Sequence, residues 1–334
     1  MLTRRLGRTG PAVTVIGYGA APLGNLFTAV SDAEAERAVA AAWDAGLRYF
    51  DTAPHYGLGL SERRLGAALR RYPRNEVVLS TKVGRLLVPA GAGGPERDLE
   101  ADFDVPADLR REWDFSRDGV LRSIDESLTR LGLDRIDVVL VHDPDNHEQQ
   151  ALEGALPTLV DLRSQGVVSA VGVGMNQSAM LTRFVERVDL DVVLLAGRYN
   201  LLDQSALDDL LPAARRRGTS IVAGGVFASG ILAREWPPDD ATYNYGPATP
   251  DVLERVRRMA TLCREHGVSL PAAAVQFVLG SDVVASALLG MRSAGEVQRN
   301  VPLLDPHIPA ELWAALQSEG LLRADASVPS GVPA

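Results

Sequence analysis

The sequence predicts an α/β protein folded as one (β/α)8 TIM barrel, a parallel eight-stranded barrel ringed by helices, with a long loop after strand 3. Three observations predict it. Eight apolar, β-rich runs recur along the 334 residues, and helix-period segments lie between them. The runs are near-continuously apolar, as in parallel strands that helices cover on both faces. Groups able to do acid/base chemistry stand at the C-terminal ends of these runs, where barrels of this type carry their sites.

In chain order the strands are VIGYGA (15–20), LRYFDTA (47–53), VVLSTKVG (77–84) and IDVVLVHD (136–143). They continue with VSAVGVGMN (168–176), DVVLLAGRYN (191–200), TSIVAGGVF (219–227) and VVASALLGM (283–291). Between them, SDAEAERAVAAAWDAG carries Ser31 as N-cap, Glu34 three residues on as a capping box, and Gly46 as the stop. SRDGVLRSIDESLTRLG and DQSALDDLLPAARRRG follow the same logic, with Pro212 placed to kink the second. Residues 84–115 form a long Gly/Pro/Asp-rich connection, a kind of loop that is usually functional or disordered. One domain over 1–322 is expected, with 323–334 as a flexible tail. The rival architecture is a doubly wound sheet with a Rossmann site. It lacks its fingerprint, since GYGAAP, GLGLSE and GVGMNQ all miss the last glycine of G-x-G-x-x-G.

Composition narrows the function. The chain is 46% hydrophobic and 23% charged, which suits a globular protein with a sizeable core. A net charge of −9 argues against an electrostatic grip on nucleic acid or an anionic membrane. The Arg70-Arg71 and Arg215-Arg216-Arg217 clusters fall at helix ends, where cations favour the helix dipole. Cys263, the single cysteine, makes no internal disulfide, and no metal site is expected. The N-terminal MLTRRLGRTG has no apolar core and no window reaches about 18 apolar residues without a charge, so the cytoplasm is the expected location. The expected partner is a small molecule, with the chain a monomer or weak homo-oligomer.

Strand 2 ends at Asp51 with Tyr56 five residues on, strand 3 ends at Lys82 and strand 4 at His142. Taken alone, each has a structural reading: an aspartate after a strand forms turns, and a lone lysine or histidine can be a satisfied core group. Together on three adjacent strands they make an acid/base device. A lysine ammonium beside a phenol favours the phenolate and lowers its pKa from about 10. Asp51 would hold Lys82 charged, and His142 would hydrogen-bond a substrate oxygen. In the stretch FDTAPHYGLGLSERRLGAAL (50–69), Gly57 and Gly59 give backbone freedom, Ser61 is expected to cap the next helix, and Arg63 and Arg64 to face solvent or the helix surface.

FDTAPHYG, STKVG and VLVHD, with YNLLD and GVFASGIL downstream, resemble the aldo-keto reductase superfamily over about residues 4–320. The resemblance places that family's catalytic Asp, Tyr, Lys and His on Asp51, Tyr56, Lys82 and His142. It implies a nicotinamide dinucleotide bound in extended form without a Rossmann motif, hydride transfer at nicotinamide C4, and Tyr56 as the general acid/base. The cofactor contacts it implies are Asn176 for the carboxamide, Phe227 as nearest aromatic to the family's stacking tyrosine, and Ser229 and Gly230 in the pyrophosphate loop. The adenosine segment runs from Gly290 through Arg292 and Glu296 to Asn300. A carboxylate at Glu296 repels a 2′-phosphate, which favours NAD, while Arg292 keeps NADP as the alternative.

APHYGLGLSE and GMN resemble the L-fucose, D-threo-aldose and pyridoxal dehydrogenase subgroup, which implies oxidation of an anomeric hydroxyl to a lactone. Asn25, His55, Asp143 and Arg198 are candidate sugar contacts, with Trp113 on the long loop closing over the ring. The alternatives are an NADPH-dependent reductase of aldehydes or ketones, a Schiff-base lyase using Lys82, and a non-catalytic cofactor-binding subunit.

Overall fold

A computed structural model describes residues 1–91, 95–244 and 246–329. Its centre is a closed barrel of eight parallel strands in sequential order: β1 (Ile16–Gly19), β2 (Tyr49–Asp51), β3 (Val78–Val83), β4 (Val138–His142), β5 (Ala170–Met175), β6 (Val192–Ala196), β7 (Ser220–Gly224) and β8 (Val284–Gly290). All eight expected strands are present. Each side-chain row follows from the two-residue period. Tyr49, Val138, Leu140, Ala170, Val192, Leu194, Val222 and Leu288 fill the interior, while their neighbours Phe50, Val139, Val141, Val171, Val193 and Leu195 pack under the helices.

The helices are α1 (Asp32–Asp44), α2 (Leu60–Leu69), α3 (Arg117–Leu131), α4 (Leu156–Ser164), α5 (Ser178–Arg187), α6 (Leu210–Arg217), α7 (Pro250–Glu265), α8 (Leu270–Leu279), α9 (Ala294–Asn300) and α10 (Ala310–Ser318). Ser31 caps α1 by accepting from the Glu34 amide at 3.2 Å, whereas the Glu34 carboxylate pairs forward with Arg37. The helix expected around Pro212 is shorter than the pattern suggested. It begins at Leu210, with Asp209 as its cap, because a proline ring excludes the preceding turn but costs nothing in the first one. An N-terminal hairpin, Thr3–Arg5 against Ala12–Thr14, covers the barrel floor through Leu6 and Val13.

Residues 84–115, expected as a long irregular or disordered connection, contain an antiparallel hairpin, Arg85–Pro89 against Leu109–Trp113. It is folded because Leu87, Phe103 and Val105 make a satellite core with Leu58, against which Tyr56 packs. Of the expected tail, 330–334 lie outside the described residues. Within 323–329, Arg323 pairs with Asp208 and Asp325, and Ala326 is buried.

Candidate active site

Asp51, Lys82 and His142 share one positional rule: each is the last inward-facing residue of its strand or one short of its end, following inward Tyr49, Ser80 and Leu140. The strand period therefore delivers all three to the C-terminal mouth. Tyr56 arrives from the loop after β2. That loop passes so close to Gly24 that a Cβ on Gly57 would sit 2.2 Å from the Gly24 carbonyl oxygen, and Gly57 has φ +60°.

Lys82 Nζ donates to Asp51 Oδ2 (2.7 Å), to the Thr52 carbonyl (2.9 Å) and to the Tyr56 hydroxyl (3.1 Å). All three ammonium donors are thus used, and both members of the ion pair have side chains only 2% exposed. Ser80 donates to the second oxygen, Asp51 Oδ1, at 2.7 Å. Burial alone would lower the Lys82 pKa, but Asp51 and Tyr56 together outweigh it and the net shift is upward. Lys82 is a fixed cation.

Tyr56 departs from the expectation. Lys82 does pull its pKa down, but burial and the Asp51 charge push harder, so the phenol lies above its ordinary value and is protonated as it stands. His142 is buried and held well below its ordinary pKa by that burial and by the charges of Arg85 and Lys82. It is a neutral ring, and its buried Nδ1 has no partner among the described residues. A buried polar atom without a partner is costly, which marks it as a group that meets a ligand.

The other half of the mouth is bare. The inward positions at the ends of β1, β5, β6, β7 and β8 are Gly19, Gly174, Ala196, Gly224 and Gly290. A Cβ at Gly174 or Gly290 would meet its nearest neighbours at ordinary contact distance, 3.5 Å, so these positions are not crowded by backbone. A mouth with polar groups on three consecutive strands and almost no side chains on the other five accommodates a flat ring beside an acid/base group.

Comparison with known proteins agrees with this geometry. Residues 15–319 match the Aldo/keto reductase family profile. The chain belongs to the aldo/keto reductase family. It is 50% identical over 319 residues to a D-threo-aldose 1-dehydrogenase of Pseudomonas sp, covering 94% of this chain and 96% of that one. Pyridoxal 4-dehydrogenase of Microbacterium luteolum is 42% identical, with 96% and 97% covered. The solved glycerol dehydrogenase of Gluconobacter oxydans superposes with a TM-score of 0.77 at 24% identity, covering 99% and 97%, and shows the shared barrel. This aldo/keto reductase is an NAD(P)-dependent oxidoreductase acting on CH–OH groups. No described helix is long and apolar enough to cross a membrane.

The cofactor residues expected in this aldo/keto reductase fall on the bare side of the mouth. Asn176 follows β5 with an exposed side chain. Phe227, Ser229 and Gly230 form the loop after β7, where Ser229 (φ 60°) and Gly230 (φ 93°) are both left-handed. Gly290 ends β8 and Asn300 ends α9. Glu296 differs from its expected free role. Its Oε2 accepts from the Arg292 amide at 2.8 Å and its Oε1 lies 3.2 Å from Arg292 Nε, so carboxylate and guanidinium neutralise each other.

Two candidate sugar contacts carry hydrogen bonds within the protein. Asn25 is buried and makes three hydrogen bonds within the protein: Oδ1 accepts from the Val30 amide and from Arg64, and Nδ2 donates to the Asp104 carbonyl. Arg198 bridges loops, donating to the Asn176 carbonyl, Asp203 and Asn244. Asp143 pairs with Arg85, and Trp113 lies under that same guanidinium, 4.5 Å from ring centroid to Cζ, with 44% of its surface exposed. His55 is the candidate that faces the chemistry, with its ring 5.5 Å from His142 and 5.9 Å from Tyr56.

Ser61 is not the expected cap either, since Gly59 holds that place. Its buried hydroxyl donates to the Ala20 carbonyl at 2.7 Å and bonds Thr52, tying β1 to β2 beneath the loop. Arg64, expected at the surface, is only 11% exposed and gathers Asp32 and the Leu23 and Val30 carbonyls. Arg85, Arg111, Asp98 and Phe103 were missed by sequence reasoning. The alternating LRREW of the second hairpin strand was the available signal.

Proposed function

We propose that this protein oxidises the anomeric hydroxyl of an aldose of the L-fucose or D-threo type to its lactone, with NAD taking the hydride. The observation that carries the reading is the Asp51–Lys82–Tyr56 chain set against a glycine-lined half-mouth. Bound there, the nicotinamide ring supplies the hydride acceptor. Asn176, the Phe227–Gly230 loop and the Gly290–Asn300 segment would hold the dinucleotide.

The chain's own residues handle the proton. Tyr56 first releases its phenol proton to solvent beside the Lys82 ammonium, which donates to the phenolate; the phenolate then takes the hydroxyl proton as the C1 hydride leaves, and Tyr56 ends as the phenol it began as. Asp51 keeps Lys82 charged through both states. His142, a neutral ring at the same mouth, hydrogen-bonds the substrate oxygen. Both rim arginines are already paired, Arg85 with Asp143 and Arg111 with Asp98, which suits an uncharged polyol over an anionic sugar. The D-threo-aldose 1-dehydrogenase at 50% identity supports the substrate class. The ion pair of Arg292 with Glu296 supports NAD, because the carboxylate beside that guanidinium opposes a 2′-phosphate. A Schiff-base lyase is disfavoured: its lysine must be a neutral nucleophile, whereas Lys82 is a saturated ammonium.

The test mixes purified protein with NAD or NADP and a panel of aldoses and follows reduced nicotinamide by absorbance. NAD reduction with an L-fucose or D-threo aldose is expected, and Tyr56→Phe is expected to cut turnover by about 10²–10⁴-fold with cofactor binding retained. Oxidation of NADPH by aldehydes with no aldose reaction would establish the reductase alternative instead.

A further inference from the structure

The hairpin over the mouth sends one side chain inward to a residue of the β2 loop. Arg111 Nε donates to His55 Nδ1, and its Nη2 donates to the His55 carbonyl at 2.9 Å. The same guanidinium is locked from behind by Asp98, with Nη1–Oδ1 at 2.7 Å and Nη2–Oδ2 at 2.5 Å. Phe103 meets the His55 ring edge-on at 5.3 Å and closes its outer side. The ring is therefore held in place and in orientation by three residues of one excursion.

The donor inventory then sets the proton. A guanidinium has donors only and keeps its charge at every accessible pH. Whichever ring nitrogen faces it must present a lone pair, so the proton of neutral His55 sits on the other one, Nε2. Nothing among the described residues bonds that nitrogen. The ring stands 5.5 Å from His142 and 5.9 Å from Tyr56, centroid to centroid.

We infer that Asp98 and Arg111 are positioning residues that act through His55, fixing it as a neutral Nε2–H donor to a hydroxyl oxygen of the substrate. The inference rests on reading this mouth as the polyol site. Protonation is disfavoured from every side. Burial, Arg85, Arg111 and Lys82 all oppose it, and push the His55 pKa down to about 2. Neutral His142 and Tyr56 flank the ring, and the two nearby carboxylates, Asp98 and Asp143, are committed to Arg111 and Arg85. A pocket built this way selects an oxygen acceptor and rejects an analogue with a donor-only group at that position, because a fixed donor left unpaired loses its bond.

The test is the nitrogen-detected proton spectrum of the imidazoles in the full-length protein without substrate, between pH 5 and 9. With five histidines in the chain, His55→Gln assigns the signal. The expected pattern is a single neutral tautomer, Nε2 protonated and Nδ1 bare, unchanged across that range. Arg111→Met is expected to release the ring into averaged tautomers and to raise KM for the aldose about tenfold, the worth of one hydrogen bond, while kcat changes less. A His55 that titrates near 6.5 in the wild type, or carries its proton on Nδ1, overturns the inference. So does an Arg111→Met protein whose His55 tautomer is unaltered. Should that variant fail to fold, the wild-type spectrum decides by itself. Because the spectrum needs no turnover, it stands or falls separately from the assigned substrate.

Discussion

Replacing Asp51 with asparagine isolates what the buried ion pair does. The amide keeps an acceptor for Lys82 but removes the charge that offsets its burial, and both side chains are 2% exposed. Breaking a buried pair by removing one partner costs about 3–5 kcal/mol, and the retained acceptor places this variant at about 3. With an unfolding entropy of about 2.1 cal/mol/K per residue, 334 residues give about 0.7 kcal/mol/K, so Tm is expected to fall by about 4 °C. The pH dependence follows from the upward shift of Lys82. A folded-state pKa above the unfolded value stabilises fully below the unfolded value, about 10.4, and that stability is lost as pH rises through the folded pKa. The gap between wild type and variant is therefore constant across neutral pH and narrows only in strong alkali. Denaturant unfolding at pH 7 and at pH 11 measures both. Equal stability at pH 7 would refute the claim that Asp51 is what keeps Lys82 charged.

Two further substitutions probe separate parts of the molecule. Gly66 in α2 faces the end of α3, where an added Cβ would lie 1.9 Å from the Leu131 carbonyl oxygen. Gly66→Ala is expected to cost about 1–3 kcal/mol by overpacking, read as a lower Tm by circular dichroism. An unchanged Tm would mean that the helices part freely. Glu296→Gln leaves an acceptor for the Arg292 amide but frees its guanidinium from neutralisation. The ratio of kcat/KM for NADP over NAD is expected to rise about tenfold, from one new charge-assisted contact, and an unchanged ratio would remove Arg292 from the nucleotide site.

The barrel was legible in the chain because parallel strands buried on both faces leave near-continuous apolar runs, and eight such runs with helices between them admit few other closures. The positions of Asp51, Lys82 and His142 were legible for a related reason: a strand's two-residue period and its end are both local properties, and each residue is visible at the end of its run. The states and partners of those groups are non-local. Tyr56 lies above its ordinary pKa because of burial, which only packing under Phe103 and the hairpin produces. Asn25 and Arg198 looked free as single residues and hydrogen-bond to loops distant in sequence. Arg111 and Asp98 come from an excursion that has no counterpart in the barrel repeat, and they reach His55 only once the satellite core around Phe103 has formed. Periodicity along the chain thus determined the scaffold and the three strand-end residues, whereas hydrogen bonds across 13 and 56 residues of separation decided how the rim is charged and which group is left open to a substrate.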